Sequence, residues 1–372
     1  MNNIETQLVQ GANRTEDDRT GAISPSLNFS TAFRHPGLGA STGFDYARVS
    51  APTRALLETQ LAQLETGQKA YAVSSGMSAI QLVFQTLLQT GEHFITSDDL
   101  YGGTFRYFGQ LRDHYQIAYD TWNGAKVVDL VAQITPKTKL IWLETPSNPT
   151  MKVIDIQAVV AAVKAVRADN LIAVDNTFLT PIYQQPLVDG ADIVVHSATK
   201  YLGGHNDILA GAVVLKNQQY VSAFDDALIT TGQVLAPFDS CWLLIRSLKT
   251  LHVRMKTHTA NAQAVVQVLT DLPGVDRVLY PGVGGMISFY LNAAYSVDAF
   301  LRHLTVFSFA ESLGGVESLI TVPAVQTHHD MTAAQREALG ITDQLIRVSV
   351  GLENALDLIA DLKQAIAASL GE

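Results

Sequence analysis

Short apolar runs alternate with amphipathic segments through the middle of the chain, from about residue 70 to residue 215. A short continuous apolar run with polar or glycine-rich boundaries is typical of a strand buried on both faces. Segments with apolar side chains at helical spacing lie between these runs, as in residues 52–65, where the leucines fall on one side. The runs that we interpret as strands are 71–73, 93–96, 140–143, 171–175, 191–195 and 211–215.

This alternation of strands and helices predicts an α/β fold, in which a mostly parallel sheet has helices on both faces. Helices are predicted at 76–88 and 156–168 in addition to 52–65. The pattern leaves open whether one of the later strands, at 191–195 or 211–215, runs antiparallel to the others.

The last third of the chain has a different pattern. One long helical pattern runs from Asp239 to about Leu272, and it leads into strands and helices that do not alternate strictly. Such an arrangement predicts a smaller carboxy-terminal α+β domain. Its strands are predicted at 285–290 and 345–350, and its helices at 297–304 and 355–370.

The amino-terminal part of the chain, up to about residue 55, shows few periodic signals and is rich in Thr, Ser, Gly and Asn. Such a composition predicts an extended arm rather than packed helices or strands. We therefore divide the chain into an arm, a large domain and a carboxy-terminal domain, at residues 1–55, 56–240 and 241–372.

Composition and charge exclude several classes of function. The chain has a formal net charge of −10 and no basic block, so we expect neither nucleic-acid binding nor a membrane partner. It has no apolar run long enough to span a bilayer and no apolar signal core. The single cysteine, Cys241, excludes an intrachain disulfide and fits a reducing cytoplasm. We expect no metal site, since neighbours such as His328 and His329 point to opposite faces of an extended segment.

Polar side chains follow two of the predicted strands. Lys200 comes shortly after the fifth strand, with the hydroxyls of Ser197 and Thr199 beside it, and Asp175 ends the fourth strand. The carboxyl ends of strands form the ligand site of open α/β sheets. A buried lysine can form a Schiff base with a carbonyl cofactor, and a carboxylate can keep a pyridine nitrogen protonated. The pair therefore fits pyridoxal 5′-phosphate (PLP), although Lys200 alone is equally typical of a strand-end lysine that points into solvent.

Several motifs resemble the Cys/Met metabolism family of fold-type I PLP enzymes, which comprises cystathionine synthases and lyases and acylhomoserine sulfhydrylases. The resemblance covers nearly the whole chain, and the motifs occur in the family's order. It implies the aspartate aminotransferase-like fold, with a mostly parallel large domain and a smaller α+β domain. The motifs are 45–48 (DYAR), 74–79 (SSGMSA), 99–103 (DLYGG), 144–149 (ETPSNP), 171–177 (LIAVDNT), 196–205 (HSATKYLGGH) and 312–319 (SLGGVESL).

The resemblance implies roles for individual residues around PLP. Lys200 would hold the cofactor covalently and act as the base, and Asp175 would hold the ring nitrogen. Tyr101 would stack on the ring, and its hydroxyl is a second candidate for proton transfer. The amides of Gly76 and Met77 would bind the phosphate at a helix start, which a simple Ser N-cap explains equally well without the other motifs. The implied cofactor-binding residues are Tyr46, Arg48, Gly76, Met77, Tyr101, Asp175, Thr177, Ser197, Thr199 and Lys200.

Two of these residues, Tyr46 and Arg48, lie in the predicted arm. The resemblance assigns them to the PLP phosphate of a neighbouring subunit, for which an arginine fork and a tyrosine hydroxyl are suited. A monomer would then have an incomplete site, and the family precedent implies a homotetramer built as a dimer of active dimers. A surface Tyr–Arg pair is the alternative interpretation.

The resemblance implies substrate contacts for four residues. Arg347 lies inside an apolar strand pattern, where a charge must be paired, and its planar fork suits an α-carboxylate. A salt bridge within the fold is the alternative. Asn148 matches a family residue whose amide donates to the cofactor's phenolic oxygen or to the substrate carboxylate. Arg106 contacts substrate or is a solvated helix residue, and Ser312 completes the set.

These expectations together indicate trans-sulfuration chemistry on small amino-acid substrates. Val49 follows Arg48 where some synthases that use a succinylated homoserine have a second arginine, which favours an acetyl ester. Thr321 stands where animal and yeast γ-lyases have a glutamate, which argues against that type. We expect γ-replacement of the cystathionine γ-synthase type on O-acetylhomoserine (or O-succinylhomoserine), with cysteine or sulfide, in methionine biosynthesis. A cystathionine γ-lyase or β-lyase is the alternative.

A different class of function is an inactive family member that serves as a binding or scaffold protein. Such a protein is expected to have lost the lysine, the aspartate or the carboxylate-binding arginine. Lys200, Asp175 and Arg347 are all present, so we expect an enzyme.

Overall fold

Two β-sheets organise the part of the chain that the computed structural model describes, which comprises residues 2–12, 21–236 and 239–371. The strands of the larger sheet are β1 (Lys69–Val73), β2 (His93–Ser97), β3 (Ala118–Trp122), β4 (Thr138–Glu144), β5 (Leu171–Asp175), β6 (Ile193–His196) and β7 (Gly211–Leu215). Their spatial order is β1-β7-β6-β5-β4-β2-β3.

Strand β7 alone runs against the other strands of this sheet. It pairs antiparallel with β6 on one side and with β1 on the other, whereas β6, β5, β4, β2 and β3 pair parallel with their neighbours. The predicted mostly parallel sheet is confirmed, and the open question about an antiparallel strand is answered by β7. Strand β3 was not predicted, because it lies at the edge of the sheet and most of its residues are partly or fully exposed.

Helices cover both faces of the larger sheet, as predicted. Each strand contributes alternate residues to opposite faces, so that Trp142 and Val195 face one apolar cluster while Ile141 and Val194 face the clusters on the other side. The helices around this sheet are α1 (Ile4–Gln10), α2 (Pro52–Leu64), α3 (Gly76–Leu87), α4 (Gly102–Tyr115), α5 (Val127–Ala132), α6 (Ile156–Val166), α7 (Thr180–Tyr183) and α8 (Val221–Thr231).

The carboxy-terminal part contains a five-stranded sheet with helices, which confirms the smaller α+β unit. The helices are α9 (Asp239–Leu248), α10 (Leu251–Thr270), α11 (Val297–His303), α12 (Ala333–Ala338) and α13 (Ala355–Ala368). The strands are β8 (Val275–Leu279), β9 (Met286–Leu291), β10 (Ser308–Phe309), β11 (Leu319–Thr321) and β12 (Leu345–Ser349), in the spatial order β10-β11-β12-β9-β8. Their inner faces and α10, α11 and α13 form a separate apolar core.

The single long helix predicted from Asp239 to Leu272 is wrong, because the chain breaks between α9 and α10. Thr250 leaves helical geometry with φ −109° and ψ 3°. The carbonyl oxygen of Ser247 accepts hydrogen bonds from the Thr250 amide at 3.1 Å and from Arg254 Nη2 at 3.0 Å. These contacts replace the regular helical bonds at the break.

The two helices on either side of the break, α9 and α10, together contribute to both cores. Cys241, Leu244 and Met255 pack in a cluster of the larger sheet, whereas Val265 and Leu269 pack in the core of the smaller sheet. A boundary at residue 240 therefore stays a prediction, and α10 is the element that passes from one core to the other.

The amino-terminal arm contains no helix or strand over residues 21–51 of the described chain. It leaves large apolar side chains exposed, among them Ile23 (81%), Phe29 (67%) and Leu38. The predicted arm also includes residues 13–20, which lie outside the described residues. None of the helices in the described part of the chain has both the length and the apolar character needed to cross a membrane.

Candidate active site

A cavity of about 340 Å³ opens at the carboxyl edge of the larger sheet, where β1, β4, β5 and β6 end. Eleven of the residues predicted from the sequence line it, and its volume falls in the range of small-molecule sites. The predicted residues at the cavity are Gly76, Met77, Tyr101, Asn148, Asp175, Thr177, Ser197, Thr199, Lys200, Ser312 and Arg347.

One end of the cavity is formed by the start of α3. The first N–H groups of a helix have no partner within it, so the amides of Gly76 and Met77 are available to an anion. The sequence must be glycine at position 76, because a Cβ atom there would lie 2.7 Å from the Cβ atom of Ser197. The first residue of β7 also packs closely against the start of α3, since a Cβ atom on Gly211 would lie 2.0 Å from the Ser75 carbonyl oxygen. This packing brings the Ser197 side chain to the helix start.

The Thr199 hydroxyl is engaged within the loop that follows β6. Its Oγ1 donates to the Ala210 carbonyl oxygen at 3.1 Å and accepts from the Ala210 amide at 3.0 Å. Thr199 therefore lines the cavity while it ties the lysine loop to the residue before β7.

Asp175 ends β5 on the cavity face of the sheet. Its Oδ1 accepts from the Thr177 amide at 3.0 Å and from the Thr177 hydroxyl at 2.5 Å. Thr177 Oγ1 in turn accepts from the Ser197 amide at 2.8 Å. Burial raises the pKa of the Asp175 carboxyl, and the two hydrogen bonds from Thr177 oppose that shift. The arrangement fixes one carboxylate oxygen and leaves the other for a cationic ligand.

Lys200 lies in the loop after β6, and its Nζ donates to the Ser312 hydroxyl at 3.1 Å. Burial, assisted by the positive charge of Arg347, lowers the pKa of the Lys200 amine to about 8. Ser312 has a positive φ of 123°, which residues with side chains rarely adopt. The strained serine presents its hydroxyl to an amine that loses its proton more readily than an ordinary lysine.

Arg347 lies in the middle of β12 and is fully buried in the cavity wall. Its guanidinium donates to Asn148 Oδ1 at 3.0 Å, to the Ser312 carbonyl oxygen at 3.1 Å and to Thr321 Oγ1 at 3.2 Å. Within the described residues, these acceptors are neutral oxygens, so the structure does not show the alternative salt bridge. Burial lowers the pKa of Arg347 to about 10. The buried cation is therefore suited to a carboxylate from a ligand, and Asn148 keeps its amide nitrogen for donation.

Three predicted residues lie outside this cavity. Arg106 projects from α4 at the surface, where its Nε donates to Asp330 Oδ2 at 2.8 Å. This position agrees with the alternative interpretation of Arg106 as a solvated helix residue. Tyr46 and Arg48 lie in the arm with the guanidinium carbon 5.7 Å from the ring centre, and Arg48 Nη1 donates to the Ile229 carbonyl oxygen at 2.6 Å. The single chain therefore brings neither arm residue to its own cavity.

The sequence reasoning assigned no role to two acidic residues that line the cavity, Glu144 and Glu311. Glu144 is the last residue of β4 and is paired in register with Asp175, the last residue of β5. A signal for it was present, because both acids directly follow an apolar run of the same kind. Glu311 is exposed beside Ser312, and its negative charge raises the pKa of Lys200 against the effect of burial.

A second polar group lies behind the cavity, on the opposite face of the same sheet edge. His196 ends β6, and its Nε2 lies 2.6 Å from Oε1 of Glu65, both side chains being almost fully buried. The same Glu65 oxygen accepts from Asn176 Nδ2 at 3.0 Å. Sequence reasoning missed this group, since Glu65 follows α2 and meets the other two residues only in the fold.

The residues of the cavity fit PLP by the chemistry of their donors. The start of α3, with no room for a side chain at Gly76, suits the phosphate. The carboxylate of Asp175 suits the ring nitrogen, and the amine of Lys200 suits the aldehyde. The described residues contain no cluster of histidine, cysteine and acidic side chains that could hold a metal ion.

Comparisons with known proteins agree with this fit. The model of a family described as Cys/Met metabolism PLP-dependent enzyme matches residues 5–367. A cystathionine γ-synthase/O-acetylhomoserine (thiol)-lyase of Bacillus subtilis is 48% identical over 98% of this chain and 96% of its own. A cystathionine γ-synthase of Haemophilus influenzae is 48% identical over 98% of both chains. The crystal structure of a cystathionine γ-lyase from Lactobacillus plantarum complexed with L-serine has a TM-score of 0.95, 39% identity and 99% coverage of each chain.

Proposed function

The chain belongs to the Cys/Met metabolism family of PLP-dependent enzymes, and from this premise we propose that it catalyses γ-replacement on O-acetylhomoserine. The bond between the γ-carbon and the acetate oxygen breaks, and a bond from that carbon to the sulfur of cysteine or sulfide forms. The thiol proton leaves with acetate as acetic acid. This reaction makes cystathionine or homocysteine and belongs to methionine biosynthesis.

One observation carries the proposal that the site works on an amino acid. Lys200 Nζ donates to the hydroxyl of Ser312, and Arg347 Nη2 donates to the carbonyl oxygen of the same residue, both at 3.1 Å. An amine that can take a proton and a guanidinium that can bind a carboxylate therefore converge on one residue. An α-amino acid carries its carboxylate and its α-proton on the same carbon atom, so these two side chains can act on it together.

The residues of the chain supply binding, orientation and proton movement. Arg347 binds the α-carboxylate, with the Asn148 amide beside it, and this contact holds the α-carbon near Lys200. Lys200 Nζ takes the α-proton, and its lowered pKa of about 8 leaves more of the amine unprotonated near neutral pH. Tyr101, which lines the cavity, would cover one face of the cofactor ring and exclude water from it. When bound, PLP supplies the electron sink for the charge that develops at the α-carbon.

The acetyl ester is the proposed substrate because the chain lacks an extra cation beside Arg48. Val49 stands there and is 41% exposed in the arm. A succinyl ester carries a second carboxylate, which would gain little from an apolar side chain. The similarity to a Bacillus protein whose name includes O-acetylhomoserine (thiol)-lyase supports the same choice.

An elimination reaction on cystathionine is the second candidate, since a γ-lyase is among the similar solved structures. Both reactions share the proton transfers described above and differ in whether a thiol is captured. We propose to measure steady-state rates with O-acetylhomoserine plus cysteine or sulfide, and separately with cystathionine alone. We expect a replacement product in the first assay that is formed at least about ten times faster than keto acid in the second. Rapid keto-acid release from cystathionine without any replacement product would contradict the proposal.

We further propose that the active unit is a dimer in which the arm of one subunit completes the site of the other, and that two dimers form a tetramer in the cytoplasm. Two observations support the shared site: Tyr46 and Arg48 lie outside the cavity of their own chain, and the arm leaves Ile23 and Phe29 exposed.

The shared site can be tested by mixing two inactive variants, Lys200→Ala and Arg48→Ala. In a mixed dimer, one site receives its lysine from one chain and its arginine from the other, so we expect activity to return. If Arg48 serves the site of its own chain, each mixed dimer has two defective sites, and activity stays at the level of the variants alone. Light scattering after size-exclusion chromatography gives the assembly size.

A further inference from the structure

Glu144 is a buried acid in the cofactor cavity to which the reaction described above gives no role. It ends β4 one strand spacing from Asp175, about 4.8 Å between the backbones, and register pairing directs both side chains to the same face. Its Oε2 accepts a hydrogen bond from the Tyr101 amide at 3.0 Å. Two carboxyl groups and one aromatic residue thus meet at the place where the cofactor ring would lie.

The surroundings of the two acids differ in a way that separates their charges. Asp175 Oδ1 accepts two hydrogen bonds from Thr177, and the nearby His196 also favours its ionised form. Glu144 accepts one hydrogen bond, and the charges that act on it are those of Asp175 and Asp99, both negative. The cations of the cavity are directed elsewhere, since Lys200 donates to Ser312. Ionising both of two neighbouring acids costs free energy because their negative charges repel each other. The acid with fewer hydrogen bonds and no nearby cation therefore keeps its proton.

The electrostatic effects agree with this geometry. Burial, and next the negative charge of Asp175, raises the pKa of Glu144 well above its usual range. The hydrogen bond from the Tyr101 amide opposes the shift only in part. A neutral carboxylic acid still accepts that hydrogen bond through its carbonyl oxygen.

We propose that Glu144 is a positioning residue that acts as a neutral carboxylic acid. It anchors the backbone of Tyr101 over the cofactor ring and leaves the negative charge of the acid pair to Asp175. The ring nitrogen therefore meets a single carboxylate, and the aromatic cover is held without a competing anion. This inference rests on the cofactor that the family binds and not on the choice between synthesis and elimination.

The test compares Glu144→Gln with Glu144→Ala in the full-length protein. Glutamine keeps the shape and the carbonyl acceptor for the Tyr101 amide and removes the titratable proton, whereas alanine removes the acceptor as well. Two properties are measured for each protein: the Kd of PLP for the cofactor-free protein, by fluorescence titration, and the pH dependence of the absorbance of the bound cofactor.

We expect alanine to weaken PLP binding about tenfold, since a lost hydrogen bond of about 1.4 kcal/mol corresponds to that factor. Glutamine is expected to restore the Kd to within about threefold of the original protein, with the absorbance–pH curve unchanged. If glutamine shifts that curve or weakens PLP as much as alanine does, Glu144 acts as a carboxylate and the inference is wrong. An unchanged Kd in the alanine variant overturns the anchoring role.

A measurement on the unsubstituted protein keeps the inference testable if a variant does not fold. Protonated carboxyl groups have an infrared C=O band that is separate from that of carboxylates. We expect such a band near neutral pH in the unsubstituted protein, and we expect it to persist when PLP is added. Where Glu144→Gln folds, the band of that variant should be weaker. Absence of the band in the unsubstituted protein would contradict a neutral Glu144.

Discussion

Two groups of ionisable side chains lie near the same edge of the larger sheet, one in the cavity and one on the face of the sheet opposite the cavity. On the cavity face, Lys200 and Arg347 donate to neutral oxygens, so their charges have no opposite charge within hydrogen-bond distance in the described residues. On the other face, Glu65 meets His196 at 2.6 Å. The cavity side chains require a ligand to supply an opposite charge, whereas Glu65 and His196 already have each other as partners within the chain.

Among the cavity side chains, Lys200 is the one whose removal should reduce activity most. We expect Lys200→Ala to lower turnover by about 10³-fold or more, because the variant loses both the covalent attachment and the general base. The absorbance of bound PLP should also shift. Steady-state kinetics and absorption spectra measure both effects, with Lys363→Ala on the exposed face of α13 as the control. An active Lys200→Ala variant with an unchanged spectrum would refute the site.

Removal of one partner from the Glu65–His196 pair should act on folding. Glu65→Ala leaves the buried His196 without its partner and removes one of the two acceptors of the Asn176 amide. We therefore expect the free energy of unfolding to fall by about 3 to 5 kcal/mol. Urea unfolding of the cofactor-free protein measures the change. Replacing both Glu65 and His196 by leucine should recover much of the loss, since no charge then remains buried alone. A loss below about 1 kcal/mol in the single variant would contradict the contrast between the two faces.

Substitution of the buried arginine should affect substrate more than folding. We expect Arg347→Ala to lower kcat/KM by about 10- to 100-fold, the equivalent of a charge-assisted hydrogen-bonded contact of about 1.5 to 3 kcal/mol. Arg347→Lys keeps the charge and loses the planar fork, so its loss should be only partly smaller. Kinetics of the amino-acid substrate measure both, with Arg112→Ala on exposed α4 as the control. An Arg347→Ala variant with normal kcat/KM would show that the carboxylate binds elsewhere.

The smallest effect concerns the pH dependence of the lysine. Because the pKa of Lys200 is lowered to about 8, the reaction of the cofactor-free protein with PLP should accelerate as pH rises through about 8. Stability should also rise with pH. Between about pH 8 and the ordinary lysine pKa, the unfolded protein binds more protons than the folded protein, so the free energy of unfolding increases as pH rises. Arg347→Ala removes a cation that lowers this pKa and should move the midpoint upward. A midpoint near the ordinary lysine value in the unsubstituted protein would contradict the shift.

The sequence predicted the parts of this molecule that depend on local patterns. Apolar runs such as 140–143 and 211–215 lie within observed strands, since a strand buried on both faces must be apolar throughout. Strand β3 did not follow this pattern, because an edge strand with exposed residues has no continuous apolar run. The break at Thr250 was missed because it depends on Arg254, which bonds a carbonyl oxygen of the preceding helix.

The candidate site was predictable where a motif carries the chemistry, as in Lys200 and Asp175. Contacts between distant segments were not predictable in the same way. The pairing of Glu144 with Asp175 depends on the order of β4 and β5 in the sheet, and that of Glu65 with His196 depends on how α2 packs beneath it. The positions of Tyr46 and Arg48 relative to a neighbouring chain also stay a prediction.

The antiparallel strand β7 has a consequence for how the protein is made. Strand β1 ends at residue 73 and its partner β7 begins at residue 211, so β1 of a nascent chain has no partner strand until residues 74–210 have been made. The start of α3 packs against Gly211, so it reaches its final conformation only after β7 has been made. Such late closure between distant segments is slow. We therefore expect truncated products that stop before residue 211 to be recognised by chaperones and proteases, and to have no catalytic activity.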